Sequence, residues 1–385
     1  MNPVFDHILA MVVVSALFIS AVVIMPQINM GNIAAVEQQQ LRNMALNLLN
    51  AMLLDTGDPV NWGSIVNETY YFHPNVVKRF GLAYDRTQTL YVLDPDKIQR
   101  LNTQNPLGYL PYEYLKKILN LQGYGFSFRL IPPFNVTNVD GTRITETRTP
   151  LRFVNSTALM YAIKVIHLDG SPIPNALVEG FIFYSKDKNF YIGPASPAVT
   201  NASGICSQVI KLSLASPDYV MVILRISVAD VAAILVTMGK DASVYVADIN
   251  IVKDTVVLTK AKNPSNEDVK IVSIYVYTTN GEIIWLYNGT KDDHFNTGES
   301  GKHALWSKNF PNLRDLSPAI LIFDFSAVEK GRREIVVAGP FKNLLNYNVF
   351  EYGGKVPVGG GAVKLQRNII VEGMIYTVEL WLWKE

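Results

Sequence analysis

The sequence predicts an α+β protein in which a long N-terminal hydrophobic α-helix is followed by mainly β, sandwich-type domains. Three observations predict this class. An apolar run without a charged residue extends from Ile8 to Met25, short β-type segments separated by turn residues fill the chain after residue 150, and 385 residues exceed one ordinary core. We expect four parts: a helix at 1–56, a mixed α/β connecting region at 57–149, a β-sandwich at 150–240 and a second β-sandwich at 241–385.

The composition argues against a nucleic-acid partner. Lys plus Arg is 34 and Asp plus Glu is 33, which gives a net charge of +1, whereas nucleic-acid-binding proteins carry a basic excess. Charged residues make up only 17% of the chain and hydrophobic residues make up 49%, a composition that argues against disorder. The single cysteine, Cys206, excludes an intrachain disulfide and a CxxC metal site.

The apolar run from Ile8 to Met25 is long enough for a membrane-spanning helix. Pro26 and Gly31 predict a kink or a short interruption after it. Further along, apolar residues recur at three- and four-residue spacing, which predicts an amphipathic continuation: Leu41, Met44, Ala45, Leu48, Leu49, Met52 and Leu53. Gly57 and Pro59 supply the stop signals. A helix over residues 1–54 would be about 80 Å long.

Such a helix needs burial, because each large apolar side chain left in water forgoes about 1.5–3 kcal/mol. The first half of the helix has three ways to be buried: in a bilayer, among copies of itself, or by moving from the first to the second. The physical pattern alone favours a single membrane span over assembly.

A family resemblance shifts this balance. Asn2-Pro3-Val4, followed by the aliphatic run, resembles the Ser-Pro-Val start of archaeal type IV pilins and archaellins. Asp6 stands near the place where such subunits carry an acidic residue, which in that family pairs with the N-terminal amine of a neighbouring subunit. A carboxylate in an apolar core needs such a partner. The stretch from Leu53 to Gly63 resembles the helix exit of archaeal pilin-like surface proteins.

The resemblance implies a structural subunit of an extracellular archaeal filament that serves adhesion or surface attachment. The partner is then the protein itself, as a homopolymer with helices bundled in the core and β-domains outside. Before assembly the subunit would lie in the membrane, and a pilus assembly ATPase and a platform protein are implied. The residues we expect to mediate assembly are Asp6, Ile8, Val12, Leu17, Ile19, Val23, Leu41 and Leu48. The alternative is a monomeric membrane-anchored cell-surface adhesin or binding protein.

The remaining chain is predicted to be helical in two short places and otherwise β. We expect helices at 95–101 and 112–121 and a strand at 126–130. Strands are expected at 161–168, 177–184, 206–214, 219–228 and 231–238. The turns at Gly170 to Ala176 and Thr200 to Gly204 resemble those of extracellular immunoglobulin-like modules.

The last part of the chain predicts a second series of strands. They are expected at 244–251, 256–259, 269–278, 282–287, 319–325, 334–338, 363–371 and 375–383. Asn280-Gly281 predicts a hairpin turn. We expect the final strand to form a sheet edge that is open to a neighbouring molecule.

Five Asn-X-Ser/Thr sequons are candidate glycosylation sites: Asn67, Asn135, Asn155, Asn201 and Asn288. The motif is short, so the alternative that most of them are unmodified stays open. Several lie in predicted turns, where export would leave them accessible.

No catalytic, cofactor or metal site is expected. None of the five histidines lies in an HExxH motif, there is no G-x-S-x-G elbow, and Gly359-Gly360-Gly361 is not followed by Lys-Ser or Lys-Thr. The acidic stretch from Asp292 to Thr297 has oxygen ligands for Ca²⁺, but the EF-hand spacing fails, and a solvated loop is the favoured interpretation. A membrane-tethered hydrolase is therefore a weak third hypothesis.

Overall fold

The computed structural model describes most of the chain. The described ranges are 3–85, 91–144, 149–187, 189–229, 231–240, 247–260, 268–278, 280–290, 293–296, 304–318, 320–327, 333–339, 349–358 and 361–385. In the first helix, the described side chains are those of residues 10–20 and 35–54.

Three α-helices, three short 3-10 helices and twenty strands make up the described secondary structure. The α-helices are α1 (Pro3–Leu54), α2 (Pro95–Gln99) and α3 (Tyr112–Ile118). The first ten strands are β1 (Tyr124–Ile131), β2 (Asn135–Asn138), β3 (Leu151–Asn155), β4 (Ala158–Ile166), β5 (Leu177–Lys186), β6 (Asn189–Val199), β7 (Ile205–Lys211), β8 (Tyr219–Val228), β9 (Val231–Lys240) and β10 (Ala247–Val252). The last ten are β11 (Thr255–Lys260), β12 (Asp268–Tyr277), β13 (Ile283–Asn288), β14 (His294–Asn296), β15 (Ala304–Asn309), β16 (Ile320–Ala327), β17 (Arg333–Ala338), β18 (Phe350–Gly353), β19 (Val363–Val371) and β20 (Met374–Lys384). The prediction of a mainly β protein with few helices is confirmed.

Helix α1 is continuous through Pro26 and Gly31, so the expected interruption does not break it. A proline removes one helical hydrogen bond, and the bonded turns on either side carry the helix across. At 1.5 Å per residue its 52 residues extend about 78 Å. Within the part of the chain whose side chains are described, no helix combines the length and the apolar character needed to cross a membrane. The predicted run from Ile8 to Met25 extends at both ends beyond those side chains.

A four-stranded antiparallel sheet has the order β18-β1-β20-β19, and the C-terminal half of α1 packs against β19 and β20. We expected β19 and β20 in the second sandwich, but β20 pairs with β1 along the whole length of β1. The expected open edge at β20 is also wrong, because β1 and β19 flank it on both sides. An alternating apolar pattern marks a strand without specifying its partner.

The first sandwich lies between residues 135 and 240. In one sheet, β2 and β3 pair with successive parts of one side of β4, and β7 pairs with the other side. The other sheet has the order β6-β5-β8-β9. Strand β6 was not predicted. It carries Pro194 and Pro197, and proline is tolerated in a strand at the edge of a sheet, where β6 lies. The shared core includes Leu159, Tyr161, Ile163, Val178, Ile182 and Val222.

The second sandwich packs the sheet β10-β11-β15 against the sheet β13-β12-β16-β17, with β14 pairing to β12. Its core includes Val256, Leu258, Ile274, Leu321, Phe323 and Phe325.

The two sandwiches also contact each other. The Tyr219 hydroxyl of β8 donates to the carbonyl oxygen of Ile335 in β17 at 2.6 Å, and the rings of Phe190 and Tyr275 stack at 5.7 Å. Both faces of β8 are therefore covered, which explains its unbroken apolar sequence from Tyr219 to Leu224.

Candidate functional site

The most unusual surface of the molecule is the apolar segment of α1, defined here as residues 10–20. Its large apolar side chains at positions 11–14 and 17–19 are each between 50% and 76% exposed. Four consecutive helical residues, at about 100° each, point to all sides of the helix. The segment is therefore apolar all round, a pattern typical of helices that are surrounded by other helices or by lipid.

Covering these side chains would be strongly favourable in free energy. A fully buried side chain of this size stabilises by about 1.5–3 kcal/mol, so seven of them favour burial by something on the order of 10 kcal/mol. The polar side chain of Ser20 is already satisfied within the helix, because its hydroxyl donates to the carbonyl oxygen of Ala16 at 2.7 Å. That back-bond lets a serine enter apolar surroundings without an unpaired group.

Helix α1 leaves the body of the molecule near Leu41. Residues 35–40 are exposed, whereas the face formed by Ala45, Leu49 and Met52 is buried in the core. We call residues 41–54 the helix base. Its amphipathic pattern buries one face against the chain's own sheet, as the spacing predicts.

The eight predicted assembly residues fall into three groups. Val12, Leu17 and Ile19 lie exposed in the apolar segment. Leu41 is partly buried and Leu48 is 6% exposed, and both pack in the chain's own core. The side chains of the remaining three lie outside the described residues: Asp6, Ile8 and Val23.

The C-terminal end of α1 is firmly bound to the body. The amide of Leu82 donates to the carbonyl oxygen of Met52 at 2.8 Å, and the amide of Ala83 donates to the carbonyl oxygen of Asp55 at 3.0 Å. A helix otherwise ends with unpaired carbonyl groups. At Gly81 a Cβ atom would approach the Asp55 oxygen to 2.1 Å, so only glycine allows this contact.

Lys97 of α2 binds backbone carbonyl groups next to the C-terminal end of α1. Its ammonium group is fully buried and donates to the carbonyl oxygens of Thr56 at 2.9 Å and Ala83 at 2.7 Å. The negative end of the helix dipole also stabilises a cation at this position. Burial lowers the pKa of Lys97, and the nearby Asp94 acts in the opposite direction.

Helix α2 also binds the second sandwich and the β19–β20 turn. The Arg314 guanidinium donates to the carboxylate of Asp96 and, at 3.0 Å, to Glu372. Asp96 accepts in addition from the amide of Lys253 at 2.8 Å. Burial raises the pKa of Asp94 to about 6, and the negative charge of Asp96 contributes to this rise. The sequence predicts a short helix here, but it does not indicate that its charged residues are buried, because Asp, Lys and Arg side chains are mostly exposed in proteins.

In the acidic stretch near residue 293, the Asp293 carboxylate is occupied by hydrogen bonds from the protein itself. Asp293 accepts from the Tyr287 hydroxyl at 2.6 Å, from the amide and hydroxyl of Thr290 at 2.7 and 2.6 Å, and from the Trp306 indole at 3.2 Å. These donors lower the pKa of Asp293 against the opposing effect of burial. Asp292 and Thr297 lie outside the described residues, and the described part of the chain contains no cluster of three potential metal ligands.

Four of the five predicted sequon asparagines are exposed: Asn67, Asn155, Asn201 and Asn288. Asn135 is half-buried and pairs with Ile166 in the sheet. The carboxamide oxygens of Asn67, Asn155 and Asn201 each accept from the amide two residues further on, at 2.9–3.0 Å.

Comparison with known proteins gives no family. No family model matches the chain, and no curated protein matches it. Two of the solved structures that match the chain show 10% identity each. Red sea bream transglutaminase aligns with 52% of this chain and 32% of its own, at a TM-score of 0.17. Invasin, a bacterial integrin-binding protein, aligns with 64% of this chain and 54% of its own, at a TM-score of 0.15. At such scores neither similarity carries an argument.

Proposed function

We propose that this protein is a structural, pilin-like subunit of an extracellular archaeal filament, with the N-terminal helices bundled in the core and the β-domains outside. The observation that carries the proposal is the apolar segment of α1, which is exposed on all sides although its base is firmly bound to the body. A single docking partner would cover one side of such a helix. Several sister helices cover all of them.

The two halves of α1 suit different environments. The helix base buries one face against its own sheet, as in any globular domain, whereas residues 10–20 make no such contact and expose apolar side chains all round. A subunit built in this way is stable as a folded body and still lacks a cover for its helix. Copies of the same chain supply that cover when their apolar segments pack together, and the mainly β body remains outside the bundle.

The finer parts of the proposal rest on the sequence resemblance. They are the immunoglobulin-like character of the β-domains, a role in adhesion or surface attachment, and the pairing of Asp6 with a neighbouring subunit. They also include residence in the membrane through the run from Ile8 to Met25 before assembly, and the help of an assembly ATPase and a platform protein. Polymerisation then exchanges lipid for protein around one apolar helix.

A matched pair of variants tests the proposal. Val14→Asp places a charge in the apolar segment, and Val209→Asp places the same charge on strand β7, where Val209 is similarly exposed. A carboxylate inside a helix bundle is costly, so Val14→Asp should abolish filaments while the β-domains stay folded. Val209→Asp should leave assembly intact. Negative-stain microscopy of sheared cell surfaces gives the readout.

Two results would contradict the proposal. One is the absence of filaments from cells that produce the wild-type protein, which would favour the monomeric anchored adhesin. The other is normal filament assembly by Val14→Asp.

A further inference from the structure

Trp285 stands out among the aromatic residues of the described surface. It lies in β13 and is 61% exposed, whereas the other four tryptophans are buried or half-buried. Its indole nitrogen donates to the carbonyl oxygen of Tyr287 at 2.9 Å. The ring is therefore fixed along the strand, with its polar edge at the peptide that joins Tyr287 to Asn288.

A bulge brings Trp285 and Asn288 to the same face of the sheet. Residues three apart in a regular strand point to opposite faces. Here Trp285 pairs with Tyr275 and Asn288 pairs with Ser273, and the register shifts between these two pairs. Tyr275 and Ser273 are two apart on β12, so Trp285 and Asn288 occupy neighbouring positions of one face.

The sequon that starts at Asn288 is rigid and lies at the surface. The amide of Gly289 donates to the carbonyl oxygen of Val272 at 2.9 Å, and a Cβ atom at this glycine would meet the Ile271 oxygen at 1.9 Å. The hydroxyl of Thr290 is held by Asp293 at 2.6 Å. Asn288 itself is exposed, and the hydrogen bonds found between described residues do not include one from its carboxamide.

We propose that Asn288 carries an N-linked glycan whose first sugar ring lies on the face of the Trp285 indole. This inference rests on the proposed export of the chain. A pyranose ring presents a face of C–H groups, and an indole is a large flat apolar surface, so contact removes apolar area of both from water. The polar tip of the indole is already bonded, which leaves its face free for the sugar.

The modification itself is a glycosyl transfer from a lipid phosphate-linked oligosaccharide. The bond between the anomeric carbon and the phosphate oxygen breaks, and a bond from that carbon to Asn288 Nδ2 forms. The amide nitrogen loses one proton, and the lipid phosphate leaves with the electron pair of the broken bond and takes up that proton.

Two measurements on protein from its native cells test this assignment. Glycopeptide mass spectrometry should show a hexose-containing mass at Asn288. Hydroxyl-radical footprinting should then show Trp285 oxidised several-fold faster in Asn288→Gln than in the wild type, with the oxidation of Trp306 unchanged. The conservative Thr290→Ser variant keeps the sequon and should retain both the glycan and the protection of Trp285.

Three outcomes would overturn it. An unmodified Asn288 together with glycans on Asn67 or Asn201 would refute the inference and leave export intact. A glycan on Asn288 with equal oxidation of Trp285 in both proteins would refute the stacking. No glycan at any sequon would also refute it, and the presence or absence of filaments on the same cells then decides separately about the proposed function.

Discussion

Arg314 of the second sandwich forms a buried ion pair with Asp96 of α2, although 218 residues separate them in sequence. The same guanidinium donates to Glu372 in the β19–β20 turn. Since Lys97, the neighbour of Asp96, binds the carbonyl oxygens of Thr56 and Ala83 next to the end of α1, a continuous set of polar contacts links this end of the helix to the second sandwich. In the proposed filament, these contacts would connect the helix to the β-domains.

Loss of the Arg314 charge should strongly destabilise the fold. In Arg314→Met the carboxylates of Asp96 and Glu372 stay buried without their cation, which costs about 3–5 kcal/mol. Urea unfolding monitored by circular dichroism measures the change. The control is Arg152→Met at an exposed position, with an expected change close to zero. Equal stability of the two variants would show that the ion pair does not join these parts.

Loss of the Lys97 ammonium should loosen the helix base. Lys97→Met leaves the carbonyl oxygens of Thr56 and Ala83 without their donor, at a cost of about 2–4 kcal/mol. Hydrogen exchange should become faster at the amides of Leu82 and Ala83, which hold the end of α1. Lys355→Met, at an exposed lysine, serves as the control. Unchanged exchange at both amides would contradict the role given to Lys97.

Asp324 should make stability depend on pH between about 4 and 6. Burial raises the pKa of this carboxyl to about 6 from its ordinary 3.8, against the opposing effects of Arg333 and Ser273. The native state then holds the proton more tightly than the unfolded state. This contribution to stability is therefore complete below pH 4 and is lost as the pH rises through about 6.

Asp324→Asn stays neutral and should remove this dependence. Relative to the wild type, the variant should gain stability as the pH rises from 4 to 7, by at most about 3 kcal/mol. Denaturant unfolding at a series of pH values measures the difference. Asp187→Asn, at an exposed position, should follow the wild type. Parallel curves for wild type and Asp324→Asn would refute the prediction.

The sequence predicts strands better than their partners. The run from Tyr219 to Val228 is recognisable as a strand because its residues are apolar and β-branched or aromatic. The pairing of β20 with β1 was not predictable, since it depends on a register over a separation of about 250 residues. Strand β6 was missed because its two prolines argue against a strand, although an edge tolerates them.

The candidate site shows the same limits. The apolar segment could be identified from its composition, and the position where α1 leaves the body follows from the onset of amphipathic spacing at Leu41. The burial of Leu48 in the chain's own core was not predictable, because the spacing marks a buried face without specifying what covers it. The shared face of Trp285 and Asn288 depends on a bulge, which the sequence does not show.

Cross-linking through the apolar segment tests the central claim most directly. Cys206 is the only cysteine and is buried, so Leu17→Cys adds a single accessible thiol to the helix. Val209→Cys adds one to the outer strand β7 as a control. Oxidation of assembled material from native cells should convert Leu17→Cys into covalent dimers and leave Val209→Cys monomeric. If Leu17→Cys also stays monomeric while its thiol remains reactive in detergent, the helices do not pack on one another and the account is wrong.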